Sequence, residues 1–329
     1  MAEGGKGFFS PFFMPDVEVG DKMKKLNTML NEINNNKITY IMLFPSVLFL
    51  AVFVLYPLAW ALKFMFYEYN GMMMPRFIGM ENFIRLFTRD LDFWKSVVNT
   101  LVYSGGKLLL TLPVSFVLAV ILNAKLKGRD FFRITVFMPT IISTAVMSLI
   151  FYFIFNSYNG IVNQLLLKFD LINTPIEWLG TKLAMLTSII VASWGAIGNY
   201  MIYFLAGLQA IPDELYESAS LDGSNRWQTL WHITLPMMGP VLQVVVMLAI
   251  IISLKGYESI MILTAGGPGG VTDVMYLYIY KLFFPLSEIG GNVTLQYGYG
   301  SAVAFIASII VGLITVGYLY WSKKMNEVF

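Results

Sequence analysis

The sequence contains no cysteine and only one histidine, His232, among its 329 residues. Without cysteine the chain has no disulfide bonds, no thiol catalysis and no cysteine-based metal site, and one histidine does not make a His-rich metal site. Charged residues are also scarce, at 13% of the chain against 57% hydrophobic residues. Because so few polar groups cannot cover the surface of a soluble protein, the composition indicates a bundle of membrane-spanning helices.

Nucleic-acid binding and catalysis lack sequence support as well. The net charge of +2 is too small to indicate a nucleic-acid partner. A phosphate-binding loop needs a lysine followed by serine or threonine, whereas Lys107 of the Gly105-Gly106-Lys107 sequence is followed by Leu108. We therefore expect no catalytic residue, no metal site and no cofactor in this chain, and we expect any ATP to be hydrolysed by another chain.

Six apolar segments are each about 20 residues or longer, enough to cross the ~30 Å hydrocarbon core of a bilayer. The predicted spans cover residues 38–62, 97–123, 134–155, 183–208, 241–263 and 301–321. The predicted fold class is therefore an all-α integral membrane protein. Pro113 and Pro139 are expected to kink their spans, and Gly195 and Gly198 to allow close approach of helices.

The segments between the spans carry weaker signals. Residues 63–96 predict a loop folded against the outer face, and residues 156–182 predict a short helix. A turn at 265–270 cannot continue the fifth span. The following residues, 271–284, predict an external or re-entrant helix.

Residues 1–37 precede the first span. Apolar residues recur at helical spacing from Met23 to Ile33, beside Lys22, Lys24 and Lys25. This pattern predicts an amphipathic helix on the membrane surface, or a partly ordered tail.

Lysine and arginine predict the orientation of the bundle. Six spans place both termini on one side of the membrane. Twelve basic residues fall on that side and eight on the other, and residues 125–133 alone hold four. Since basic residues are retained on the cytoplasmic side, we expect both termini in the cytoplasm, together with residues 217–240.

Residues 217–240 form a polar interruption between two very apolar segments. The pattern predicts a first short helix that begins near Pro212 and stops at Gly223, because glycine tolerates the left-handed conformation of a helix end. Ser224 is expected to cap a second helix. Three apolar side chains of that helix fall on one face, namely those of Trp227, Leu230 and Trp231.

This interruption resembles the EAA signature of the permeases of ATP-binding-cassette importers. Eight residues stand where the signature has its Glu, second Ala, Asp, Gly, Ile, Leu and two prolines: Glu217, Ala219, Asp222, Gly223, Ile233, Leu235, Pro236 and Pro240. Ser218 replaces the first Ala of the signature. Four further stretches, 94–104, 132–143, 204–212 and 263–272, are similar to the sugar-importing branch, the maltose-type or CUT1 permeases.

The resemblance implies the fold of a type I importer permease and a set of partners. These are a second, homologous permease, a cytoplasmic ATPase dimer, an extracellular solute-binding protein and a sugar cargo, for which we favour an oligosaccharide. The chain itself is expected in the lipid bilayer of the plasma or inner membrane. The resemblance also places a coupling helix against the ATPase. The expected coupling residues are Glu217, Ser218, Ala219, Asp222, Gly223, Arg226, Trp227, Leu235 and Pro236. Spacing alone favours a solvated acid at Glu217 and interfacial anchors at the tryptophans, and the resemblance reverses that preference.

Polar residues inside the predicted spans are the candidates for the substrate path. Such groups are costly at membrane depth unless they pair or face a cavity. The candidates lie in the fourth and fifth spans, which help to line the path in maltose-type permeases: Asn199, Tyr203, Lys255, Tyr257 and Glu258. Lys255 and Glu258 are also spaced to form a structural ion pair. Lys107 fits either interior pairing or snorkelling.

The predicted organisation has four parts: an N-terminal segment at 1–37, the first span with its loop at 38–96, the core transmembrane domain at 97–321 including the EAA loop at 212–240, and a tail at 322–329.

Other interpretations of the function remain open at this point. They are an importer of the same class that carries a non-sugar solute, an ion-coupled secondary transporter, and a membrane scaffold or receptor.

Overall fold

The computed structural model describes residues 36–124, 126–284 and 295–326. The amphipathic helix predicted between Met23 and Ile33 lies outside these residues. The chain divides into two compact units, 1–61 and 62–329. The predicted division at residues 37, 96 and 321 stays a prediction.

The described part of the first unit is one helical segment. It consists of α1 (Lys37–Leu50), a π-helical turn (Ala51–Leu55) and the beginning of α2 (Tyr56–Phe64). No side chain of α1 or of the π-turn is buried. The rings of Phe49 and Phe53 stack with centroids 5.7 Å apart.

The second unit contains the remaining elements. A two-stranded antiparallel sheet pairs β1 (Tyr67–Glu68) with β2 (Arg76–Phe77). The helices that follow are α3 (Glu81–Thr88), α4 (Leu91–Asn123), α5 (Arg129–Ile141), α6 (Thr144–Ile154), α7 (Ile161–Lys168), α8 (Ala184–Gln209), α9 (Asp213–Leu221), α10 (Arg226–Thr229), α11 (Leu235–Met237), α12 (Gly239–Leu254), α13 (Glu258–Leu263), α14 (Met275–Phe283) and α15 (Tyr297–Asn326). A π-helical turn, Leu230–Thr234, joins α10 to α11.

Five helical segments are long and apolar enough to cross a membrane. They are Lys37–Phe64, Leu91–Asn123, Ala184–Gln209, Gly239–Leu263 and Tyr297–Ser322, and α5 with α6 forms a sixth if the bent pair is one span. These segments match the predicted spans and confirm the all-α membrane fold. Pro113 lies inside α4, which continues through it.

The third predicted span requires a correction, because it is broken rather than kinked. Helices α5 and α6 meet at an angle of 94°. Pro139 near the end of α5 has no backbone N–H to donate, and Ile142 adopts an extended conformation. The fifth span is also interrupted, since α12 ends at Leu254 and α13 begins at Glu258.

Small residues bring α8 close to its neighbours. Gly198 lies against the backbone of α5 at Val136 and Phe137, and Gly195 lies against Met147 of α6. Ser115 of α4 donates a hydrogen bond of 2.9 Å to the Ile197 carbonyl. The close approach predicted at Gly195 and Gly198 is confirmed, and it follows the usual rule that small residues and interhelical hydrogen bonds join membrane helices.

The Asp90 carboxylate joins three helices at one end of the bundle. Its carboxylate caps α4 by accepting from the Phe93 amide at 2.9 Å, and it also accepts from the hydroxyls of Tyr278 on α14 and Tyr299 on α15. Burial first, and the hydrogen bond to Asp90 second, raise the pKa of Tyr278, so the phenol stays protonated and donates. The guanidinium of Arg85 on α3 lies 3.9 Å from the centroid of the Tyr299 ring.

The predicted turn at 265–270 is held against the start of α4. Lys95 donates to the Gly269 carbonyl at 2.8 Å, and Asn99 donates to the carbonyls of Gly270 and Asp273. The helix predicted after the turn forms as α14, and the short helix predicted between 156 and 182 forms as α7.

Replacing Gly198 by alanine tests the contact between α5 and α8. The new Cβ would lie 2.5 Å from the Val136 carbonyl oxygen and 2.8 Å from Phe137 Cα, both of which are backbone atoms. Overpacking of this kind costs about 1–3 kcal/mol, so Gly198→Ala is expected to lower the thermal unfolding temperature of the detergent-solubilised protein. Gly105→Ala is the matched control, because its Cβ would meet no atom within 4 Å. Equal unfolding temperatures for the two variants would contradict the described packing.

Candidate functional site

A cavity of about 350 Å³ lies among α4, α8 and the two interrupted spans. Its lining includes four of the five candidate path residues, namely Asn199, Lys255, Tyr257 and Glu258. Lys107, Tyr103 and Tyr200 line it too. Residues predicted from two separate spans therefore share one cavity.

Both helix breaks open onto this cavity. Ile142 and Thr144 line it at the break between α5 and α6, and Lys255 and Gly256 line it at the break between α12 and α13. Lipid cannot satisfy the backbone groups that a break sets free, so non-helical backbone at membrane depth is tolerated only inside protein or beside water. The two breaks therefore favour a water-accessible, polar cavity.

Three polar side chains on the wall have no protein partner. Among the described residues, no hydrogen bond or ion pair involves the side chain of Lys107, Asn199 or Lys255. The Lys107 side chain is buried, with only 8% of its surface exposed. These groups are free to bind a polar ligand.

The predicted ion pair between Lys255 and Glu258 does not form. The ion pairs of the described residues join Arg76 with Glu68, Arg129 and Arg133 with Asp130, and Lys281 with Asp273. The i, i+3 argument assumed one continuous helix, whereas α12 stops at Leu254 and Tyr257 precedes a new helix.

Tyr203 lies outside the lining. Its side chain is 40% exposed, and its ring centroid is 6.3 Å from that of Tyr200, which does line the cavity. The part of α8 that faces the cavity runs from Ala192 to Tyr200, so Tyr203 falls beyond it. Sequence reasoning did not place Lys107 in the candidate set, although a lysine in an apolar span was the available signal.

Tyr103 and Ser259 close one side of the cavity. Their hydroxyls are 3.1 Å apart and both side chains are buried. This hydrogen bond joins α4 to α13, so the short helix after the break is fastened to a long spanning helix.

The polar interruption forms two short helices, as its pattern predicted. Helix α9 ends at Leu221, and Gly223 adopts a φ of +77°, which glycine reaches without steric cost. The cap of the second helix is Asn225 rather than Ser224. The Asn225 side-chain oxygen accepts from the backbone N–H of Gln228 at 2.9 Å, and the Gln228 side-chain oxygen accepts from the backbone N–H of Asn225 at 2.8 Å. Together the two bonds form a complete capping box. Ser224 instead contacts the Thr229 hydroxyl.

This element presents charged and aromatic side chains to its surroundings. Glu217, Ser218, Asp222 and Arg226 are exposed, and Trp227 and Trp231 are 71% and 62% exposed. Ala219 is buried, and Leu235 and Pro236 are half-buried. None of the ion pairs in the described ranges includes Glu217 or Arg226.

A groove of about 570 Å³ runs beside the element, with Tyr216, Arg226, Trp227 and Leu230 in its lining. Exposed arginine and tryptophan side chains are more frequent in protein–protein interfaces than on the rest of a protein surface.

The other end of the second unit has a larger cavity of about 710 Å³, at the end of the bundle where Asp90 lies. Its charged lining residues are Glu68, Arg76, Glu81, Arg85 and Arg89. The bundle thus has a polar recess at one end, an exposed element at 217–240 and a cavity within the spans.

Sequence comparison identifies the class of protein that this arrangement belongs to. Residues 111–325 match the family described as binding-protein-dependent transport system inner membrane component. The match covers more than half of the chain, and the chain belongs to this family. It is a membrane-embedded permease subunit of an ATP-binding-cassette importer, a transporter rather than a catalytic chain.

Individual relatives are similar over most of their length. The chain is 33% identical over 278 residues to the multiple sugar-binding transport system permease protein MsmF of Streptococcus mutans, covering 84% of this chain and 91% of that protein. It is 30% identical over 286 residues to the trehalose/maltose transport system permease protein MalF of Thermococcus litoralis, covering 86% of this chain and 92% of that protein.

A solved structure shares the fold. It is a bacterial alginate ABC transporter in complex with an alginate pentasaccharide-bound periplasmic protein. The similarity has a TM-score of 0.74 at 26% identity and covers 90% of this chain and 97% of that chain.

Proposed function

We propose that this chain is one of two permeases of an ATP-driven oligosaccharide importer, and that the 350 Å³ cavity is its part of the substrate path. The observation that carries the proposal is the meeting of two interrupted spans at a cavity where the side chains of Lys107, Asn199 and Lys255 lack partners among the described residues. A transport path needs such groups at membrane depth, because they replace the water that a polar solute leaves behind.

A sugar fits the chemistry of the wall. Tyr257 lines the cavity and is half-buried, so it supplies aromatic surface for the apolar face of a sugar ring. Asn199 and the charged groups beside it supply hydrogen bonds to hydroxyls. The names of MsmF, MalF and the alginate transporter all refer to saccharide transport, which supports the same class of cargo.

The element at 217–240 is proposed to dock on a cytoplasmic ATPase dimer. Its exposed Arg226 and Trp227 support this role, since arginine and tryptophan are enriched in protein–protein interfaces. Glu217 adds an exposed negative charge that a basic group of the partner can pair with. The bend at Gly223 sets the angle between α9 and α10. The excess of basic residues on the side of the termini supports an orientation with both termini in the cytoplasm.

The opposite end is proposed to face an extracellular binding protein. Its 710 Å³ recess presents arginines and glutamates from α3 and the two-stranded sheet. The description of the family as binding-protein-dependent supports such a partner. A second, homologous permease completes the path in this proposal.

Uptake by proteoliposomes tests the proposed energy source. The vesicles contain this chain with its companion permease, the ATPase dimer and the binding protein, and uptake of labelled oligosaccharides is followed. We expect uptake to require hydrolysable ATP and to continue when the proton gradient is collapsed at constant ATP. Uptake that ignores ATP, or that stops when the gradient collapses, would favour an ion-coupled transporter.

Replacing Glu217 by glutamine tests the coupling role. If Glu217 contacts the ATPase, Glu217→Gln should reduce ATP-driven uptake at least about tenfold, equivalent to ~1.4 kcal/mol of lost interaction. Glu214→Gln is the matched control, because Glu214 lies on the same helix and is also exposed. The control is expected to stay near the wild-type rate. Equal effects of the two substitutions would argue for a general electrostatic influence, and no effect of either would remove Glu217 from the interface.

A further inference from the structure

Lys107 lies at the midpoint of the longest spanning helix. Helix α4 runs from Leu91 to Asn123, so Lys107 is 16 residues from each end, which is about 24 Å at 1.5 Å per residue. With α4 centred in the ~30 Å hydrocarbon core, Lys107 is about 15 Å from each interface, which is farther than a lysine side chain reaches by snorkelling. The charge must therefore be accommodated inside the bundle.

No acidic side chain in the described part of the chain forms an ion pair with Lys107. The side chain is 8% exposed, and the ion pairs of the described residues do not include it. Its surroundings open into the cavity, of which it is a lining residue. An ammonium that is buried without a partner is costly, and a ligand that brings an anion would relieve the cost.

The cavity wall has an excess of positive charge. Lys107 and Lys255 line it, and Glu258 is the only acid among the lining residues. Glu258 makes no ion pair within 4.0 Å with either lysine in the described part of the chain. The wall therefore carries two cations and one anion, which suits a ligand with negative charge.

We propose that the cargo of this permease is an acidic saccharide, whose carboxylate or sulfate groups bind the lysines of the cavity wall. This inference rests on the proposed function and narrows it. A ring face contacts Tyr257, and the acidic groups replace the missing counter-charge of Lys107. Similarity to sugar permeases leaves the charge of the cargo open, because the names of the relatives include both trehalose/maltose and alginate.

Matched pairs of saccharides test the charge of the cargo. The assembled importer in proteoliposomes is offered a galacturonate trisaccharide and its methyl ester, and a sulfated galactose trisaccharide and its desulfated parent. Within each pair only the negative charge differs greatly. The two pairs separate a carboxylate from a sulfate as the recognised group. The measured quantity is the ratio of ATP-driven uptake of the charged member to that of the uncharged member.

Substitutions at the wall give the decisive comparison. Lys107→Met is expected to lower this ratio at least about tenfold, whereas Lys107→Arg retains the charge and keeps most of the ratio. Glu258→Gln removes the opposing charge and is expected to raise it. Lys168→Met, at an exposed lysine outside the lining, is the control. Because the ratio compares two substrates in one preparation, a variant that inserts poorly does not change it.

The possible outcomes are distinct. A ratio that falls in Lys107→Met and rises in Glu258→Gln supports the proposal. A wild-type importer that carries only the uncharged members, or a ratio that does not respond to Lys107→Met, overturns it while leaving the proposed sugar importer intact. If no saccharide enters in an ATP-dependent manner, the proposed function itself fails.

Discussion

The structure depends on one constraint: the interior of a bilayer offers no hydrogen bonds to the backbone. Unbroken helices such as α4 and α8 satisfy their own peptide groups. The spans that contain α5–α6 and α12–α13 do not, because each is interrupted. Both breaks lie at a shared cavity. A polar, water-accessible cavity satisfies the backbone groups that the breaks set free, and the same cavity can serve as a path for a polar solute.

Helices α8 and α12 connect the cavity to the element at 217–240. Helix α8 lines the cavity near Asn199 and ends at Gln209, just before α9. On the other side, α12 begins at Gly239 and ends beside the cavity at Leu254. A displacement of the short helices can therefore be transmitted to both walls of the cavity through rigid helices. The cavity can change shape at two places, the break after Leu254 and the buried contact between Tyr103 and Ser259.

Much of this arrangement follows from the sequence. Apolar length identified the spans, and Gly223 marked the bend because its conformation is a local property. Tertiary relations were harder to predict. The i, i+3 pairing of Lys255 with Glu258 assumed a continuous helix, which is interrupted at Gly256. Asn225 rather than Ser224 caps α10, because Gln228 is correctly spaced to complete a capping box with Asn225. Whether Tyr203 or Lys107 faces the cavity depends on how α4 and α8 pack, and hydropathy does not encode that packing.

Thiol labelling at Asn199 tests the central claim that this cavity is the transport path. The chain contains no cysteine, so Asn199→Cys introduces a single reactive site in it. The assembled importer is exposed to a membrane-impermeant maleimide from each side, with and without a trapped nucleotide. An alternating path predicts labelling from one side in the nucleotide-free state and from the opposite side in the trapped state. Labelling from the same side in both states, or from neither side, would contradict the account.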